Sequence, residues 1–159
     1  MMCIALIPTV APVLPTGGSF TGGTLTIHRP ERRNAITNEM MEEIERVARS
    51  FAGDEKTRAI IVRAEGNDFS VGADLSQPRF RGDPQSMLMR RRGLEIGGLM
   101  MRALQEIHQP TICAIKGVST GGGACIPTAC DFRVAADTTR AGYGEVKMGI
   151  NLMWNAVPV

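Results

Sequence analysis

The stretch Asn67-Asp68-Phe69-Ser70-Val71-Gly72-Ala73-Asp74-Leu75 follows a β-branched apolar run, and Gly72 permits a turn that aims consecutive backbone amides outward. A second stretch, Gly117-Val118-Ser119-Thr120-Gly121-Gly122-Gly123, follows another apolar run and opens a short helical segment. Its three consecutive glycines clear side chains from the approach to free N–H groups at a helix start. Two amide donors that converge on one point make an oxyanion hole, which stabilises charge as it develops on a carbonyl oxygen. Either turn alone reads as an ordinary turn, because a lone glycine run is a weak signal. Two such turns, each behind a buried strand, point to backbone chemistry. Neither is a nucleotide loop: no Lys-Ser/Thr follows the glycines, and Gly121–Ile126 does not spell GxGxxG.

The remaining reactive side chains give less. Cys3, Cys113, Cys125 and Cys130 form no CxxC pair and have no zinc-like spacing to His28 or His108, so no metal site is expected. Buried, reduced thiols are the reading for the cysteines in apolar runs, and with them a cytoplasmic protein without disulfides. His108 is accounted for by the end of a helix, whose partial negative charge favours it. Asp68 and Asp131 are expected to cap or orient loops, and Arg90-Arg91-Arg92 to form a solvated face.

These groups must be positioned by one domain, since 159 residues with 43% hydrophobic content suffice for a single core. A net charge of +2 with acids and bases interspersed does not indicate a nucleic-acid partner. The opening MMCIALIPTVAPVLP is apolar but lacks a basic start and is interrupted by Pro8, Pro12 and Pro15, so neither a signal peptide nor a membrane span is expected. Residues 1–20 read as a poorly structured leader, and 21–159 as the core.

Thr24–His28 alternates as a half-buried strand that Arg29-Pro30 ends. Asn38–Phe51 is the clearest helix: Met40/Met41, Ile44, Val47/Ala48 and Phe51 share a face, and Glu42/Arg46 and Glu45/Arg49 are spaced for ion pairs. Gly53 closes it. Ala59–Val62 and Thr111–Ile115 are buried strands, and Phe132–Ala135 is a further strand. Ser86–His108 has helical period in its second half, while Gly93, Gly97 and Gly98 predict a break in the first. Ala124–Ala129 is a short helix that Pro127 should break after one turn. The order predicts an α/β domain with right-handed crossovers.

Arg29-Pro30…Asn34-Ala35, Phe69–Leu75, Lys116-Gly117…Gly121-Gly122-Gly123…Cys130-Asp131 and Gly144-Glu145…Gly149, in that order and spacing, together resemble the crotonase (enoyl-CoA hydratase/isomerase) superfamily from about Thr24 to Met153. The resemblance implies a spiral of ββα units, an acyl-CoA thioester as substrate and no separate cofactor, CoA being part of the substrate. It implies oxyanion donors at the N–H groups of Ala73 and Gly122 and a general acid/base at Glu145. Substrate contacts are implied at Arg33, Ala35, Gly72, Asp74, Leu75, Ser76, Gly121 and Cys125. Arg32 and Arg33 read equally as phosphate contacts or as a solvated loop. No family catalytic position falls on His28 or His108.

The family's hydratases use two glutamates; the first position holds Cys125 here, and only Glu145 matches the second. A thiol in a helix's first turn is expected to have a lowered pKa. Hydration needs two groups to hold and activate water, whereas moving a proton between carbons needs one. Hydration and double-bond isomerisation both stay open, with a non-catalytic acyl-CoA-binding remnant and a thioesterase as alternatives. The resemblance further implies a C-terminal helical region after the point where this chain stops, completing a trimer or hexamer. The apolar ending Asn151–Val159 is accordingly expected to need covering.

Overall fold

A computed structural model describes residues 22–76, 87–149, 151–152 and 154. The expected leader, residues 1–20, lies outside them. Among the described residues there are six strands and three α-helices: β1 Gly22–Ile27, α1 Asn38–Ser50, β2 Ala59–Ala64, α2 Met87–Gln105, β3 Thr111–Ile115, β4 Val118–Thr120, α3 Gly122–Thr128, β5 Phe132–Ala135 and β6 Arg140–Gly142. Strands β1, β2, β3 and β5 form one wholly parallel sheet in that order, and β4 pairs in parallel with β6 in a smaller one.

Two single-residue parallel bridges, Ile36 to Ala73 and Ser70 to Ser119, extend the smaller layer. The chain therefore winds as a spiral. Each turn lays one strand in the large sheet, one extended segment in the small layer, and then, in the first three turns, a helix. The small-layer segments are Ile36, Ser70–Ala73, β4 and β6 in succession.

The core lies between the large sheet and two helices. Leu25, Ile27, Ile60, Val62 and Cys113 from the sheet join Met40, Met41, Ile44 and Val47 of α1 and Met100, Met101 and Leu104 of α2 in one buried cluster. The α1 pattern follows from the helical period, and its start is fixed by Thr37, whose Oγ1 accepts the Met40 N–H at 3.2 Å. Such a cap stabilises a helix by about 1 kcal/mol. Strand β5 differs, with Phe132 and Val134 exposed on the sheet's edge.

Several expected details change. Arg46 pairs with Glu43 rather than Glu42, while Glu45–Arg49 forms as spaced. The predicted helix end at Phe51 becomes a tighter 3₁₀ turn over Phe51–Gly53. Helix α2 runs unbroken through Gly93, Gly97 and Gly98: propensity is outweighed by packing, and at Gly97 the missing side chain is filled by Trp154, whose Cδ1 lies 2.0 Å from where a Cβ would stand. Pro127 does not stop α3 after one turn. The proline removes the donor that Gly123 O would take four residues on, and the Ser119 hydroxyl donates to that carbonyl instead at 3.0 Å.

Candidate active site

Gly72 has φ +92°, a conformation open to glycine and strained for other residues. A Cβ there would also lie 2.8 Å from Thr120 O and 3.2 Å from Gly122 N, so the two glycine-bearing turns are in direct contact. The bridge with Ile36 fixes the direction of the neighbouring amide. Ile36 N donates to Gly72 O at 2.8 Å, and Asp74 N donates to Ile36 O at 2.9 Å. Backbone groups alternate sides along an extended segment, so the Ala73 N–H faces away from Ile36.

Gly122 is the first residue of α3. Among the described residues, neither the Ala73 nor the Gly122 N–H donates a hydrogen bond. Both residues line one cavity of about 300 Å³. Free donors on a shared apolar cavity can take a carbonyl oxygen and stabilise it as it becomes an oxyanion.

Glu145 is brought to the same cavity by the small layer. Thr120 pairs with Gly142 in the β4–β6 register, and Gly121 N donates to Gly142 O at 3.2 Å. The 3₁₀ turn Gly144–Met148 then sets the Glu145 carboxylate against Gly121, with Oε1 2.9 Å from the position a Cβ would take. Its Oε2 is buried with no hydrogen-bond partner among the described residues. An unpartnered buried carboxylate oxygen has a free lone pair with which to accept a proton.

Cys125 also lines the cavity, but it is a neutral thiol. Burial, reinforced by the charge of nearby Glu145, pushes its pKa up to about 12. This overturns the lowering expected from its place in the first turns of α3; desolvation outweighs the few free amides of a seven-residue helix. Its Sγ is 3.3 Å from Gly121 O, to which it donates.

The predicted site residues thus divide. Ala73, Gly122 and Glu145 meet on one cavity with Gly72, Leu75, Gly121 and Cys125. Leu75 is 84% exposed at its rim. Arg33, Ala35, Asp74 and Ser76 do not line it. Asp74 is buried, accepting from Arg29 Nη1 at 2.6 Å and from Ser76 N and Oγ at 2.9 and 2.6 Å. Those bonds, Ser76 Oγ foremost and Arg29 next, hold its pKa at about 2. Arg29 also donates to Ala35 O at 2.9 Å, so this pair locks the loop behind the site. Arg33 donates to Asp68 at 2.7 Å, and Asp68 in turn accepts from Val118 N at 2.8 Å. Arg33 keeps much of its side chain exposed. Asp68 therefore orients loops as expected, as does Asp131, which accepts from Thr111 N and Oγ1 at 2.8 and 2.7 Å.

Three residues have positioning roles that sequence reasoning did not assign, although Asn34 and Ser70 lie within the quoted motifs. Asn34 is fully buried; its Oδ1 accepts from Arg29 N, and its Nδ2 donates to Glu65 O and Asp68 O at 2.7 and 2.8 Å. Ser70 Oγ donates to Asn34 O at 2.7 Å and accepts from Gly72 N at 3.1 Å. The third, Trp154, forms part of the cavity wall. The available signal for Ser70 was a small polar residue between the apolar Phe69 and Val71; Asn34 lies in a charged, polar run and had no such signal.

A larger hollow of about 500 Å³ lies at the ends of α1 and α2 around Arg49, Glu106 and His108. It contains neither free amide nor Glu145, so size alone does not mark the site. Cys113, Cys125 and Cys130 are buried free thiols. No helix among the described residues is long and apolar enough to cross a membrane.

A sequence profile of the enoyl-CoA hydratase/isomerase family matches residues 23–156. The chain belongs to that family. A protein named probable enoyl-CoA hydratase in Bacillus subtilis is 34% identical over 79% of this chain and 47% of its own. The enoyl-CoA isomerase/hydratase of Mycosarcoma maydis is 32% identical over 79% and 48%. The crystal structure of an enoyl-CoA hydratase from Bacillus anthracis superposes with a TM-score of 0.73 at 26% identity, covering 82% of this chain and 50% of that one. The spiral is therefore the crotonase fold, and the chain spans about half the length of the relatives it matches.

Proposed function

We propose that this family member binds an acyl-CoA thioester with its carbonyl oxygen between the amides of Ala73 and Gly122, and that Glu145 moves a proton at the adjacent carbon. The observation that carries this reading is the buried, unpartnered Oε2 of Glu145 on the cavity of both free amides. Glu145 takes the C2 proton, the C–H electron pair moves onto the carbonyl oxygen as an enolate, and the two N–H groups stabilise that charge. Returning the proton at C4 of a 3-enoyl ester gives the 2-enoyl isomer. One carboxylate suffices, and no atom or electron is left over.

Isomerisation is preferred to hydration by one feature. Cys125, at the position of a second glutamate in hydratases, is a neutral thiol already donating to Gly121 O. No separate cofactor enters this scheme. Family membership supports a cytoplasmic homo-oligomer acting in fatty-acid metabolism. The test is to supply a 2-enoyl-CoA and a 3-enoyl-CoA separately and follow water addition and bond migration. Migration without hydration is expected; efficient hydration would overturn the preference, and binding without either reaction would make the protein an acyl-CoA binder.

A further inference from the structure

The one tryptophan of the chain occupies an unusual position. Trp154 is 6% exposed and has φ +66°, left-handed backbone that a bulky residue rarely adopts. Its indole spans two helices at glycines. The pyrrole edge stands on Gly97 of α2, with Cδ1 2.0 Å from where a Cβ would be. The benzene edge stands on Gly122 of α3, with Cζ3 and Cη2 2.1 and 2.2 Å from the corresponding point. Any larger residue at either place would displace the ring.

The same indole lines the cavity of Ala73, Gly122 and Glu145. An oxygen held by the Gly122 amide puts the following acyl carbons within a few atoms of the benzene edge. The cavity's roughly 300 Å³ is at the small end for ligand pockets, and a flat aromatic wall wedged between two helices cannot rotate aside without leaving both glycine slots.

We propose that Trp154 is a specificity-determining wall of the acyl cavity, restricting it to short-chain acyl-CoA esters. The inference rests on the acyl-CoA reading above and adds the chain length to it. Carbons beyond a short acyl chain meet the indole, so additional methylenes remain in water and contribute nothing. Removing the ring exposes the slots of Gly97 and Gly122 to the acyl chain.

The test measures affinity for saturated acyl-CoA esters of increasing length by calorimetry, with the unmodified protein and with Trp154→Ala and Trp154→Phe. The unmodified protein is expected to gain nothing beyond the short esters. Trp154→Ala should tighten on the order of fourfold per added methylene, with Trp154→Phe intermediate. The same length dependence in all three proteins would overturn the wall while leaving acyl-CoA binding intact. Failure of the unmodified protein to bind any ester would overturn both readings together. A second measurement needs no variant: butyryl-CoA, at saturation established by calorimetry, should shift the emission of this single tryptophan. Unchanged emission at saturation would contradict contact between ester and indole.

Discussion

The carboxylate of Glu145 stands against the point where a side chain on Gly121 would begin, its Oε1 2.9 Å away. Gly121 also has φ +55° and ψ −129°, so a side chain there is strained by the backbone and pushes the acid aside. Gly121→Ala should cost about 1–3 kcal/mol of stability through backbone strain. By displacing Glu145, it should also lower turnover on the order of 100-fold. Turnover and thermal unfolding measured on the same preparation check both; unchanged turnover would remove Gly121 from the support of Glu145.

Cys125 is predicted to be a bystander to proton transfer. With its pKa pushed up to about 12, only about one thiol in 10⁵ is ionised at neutral pH. Cys125→Ala should therefore leave the pH profile between 6 and 9 unchanged and reduce stability by about 1 kcal/mol. A lost or shifted limb in that profile would show that the thiol titrates in the reaction.

Asp74 links the site to acid stability. Its folded pKa of about 2 lies below the ordinary 3.8, so the folded state favours the charged form. The stabilisation is fully present above the unfolded pKa and is lost as pH falls through about 4 towards 2. It amounts to about 2 kcal/mol. Asp74→Asn should be destabilised by at least about that amount at pH 7, and the gap should narrow as pH approaches 2. Denaturant melts at neutral and acid pH measure it; a gap independent of pH would contradict the Arg29–Asp74–Ser76 account.

Ser70 holds the first turn to the Asn34 loop through one hydroxyl. Ser70→Ala leaves the buried Asn34 carbonyl and the Gly72 N–H without this partner, and should cost about 1–3 kcal/mol. Asn34→Ala should be at least as severe, since its side chain makes three bonds. Unfolding curves for each variant decide the order.

The local elements were legible because period and composition agree with burial. Strands β3 and β5 begin and end where the residues predict, and the face of α1 carrying Met40, Met41, Ile44 and Val47 is the buried one. Ala73, Gly122 and Glu145 were implied as site residues by the family resemblance, and their meeting on one cavity depends on pairings distant in sequence. Gly121 N reaches Gly142 O, and Ile36 brackets Ala73. The continuity of α2 was illegible for a related reason: Gly97 reads as a helix breaker until Trp154 fills its place. Likewise, the bond from Ser119 to Gly123 O that accommodates Pro127 joins groups that no periodicity connects. The Cys125 pKa depends on how deeply the fold buries the thiol, and its place near a helix start suggested the opposite sign.

In the proposed reaction Glu145 exchanges the C2 proton of a thioester held by Ala73 and Gly122. Deuterium incorporation at C2 of butyryl-CoA in heavy water, followed by mass spectrometry, requires only the enolate and neither hydration nor bond migration. The unmodified protein should incorporate deuterium. Glu145→Gln, which keeps the shape and loses the base, should bind the ester with similar affinity and exchange about 10²–10⁴-fold more slowly. Exchange at the unmodified rate in Glu145→Gln, or ester bound by the unmodified protein without any exchange, would contradict the account.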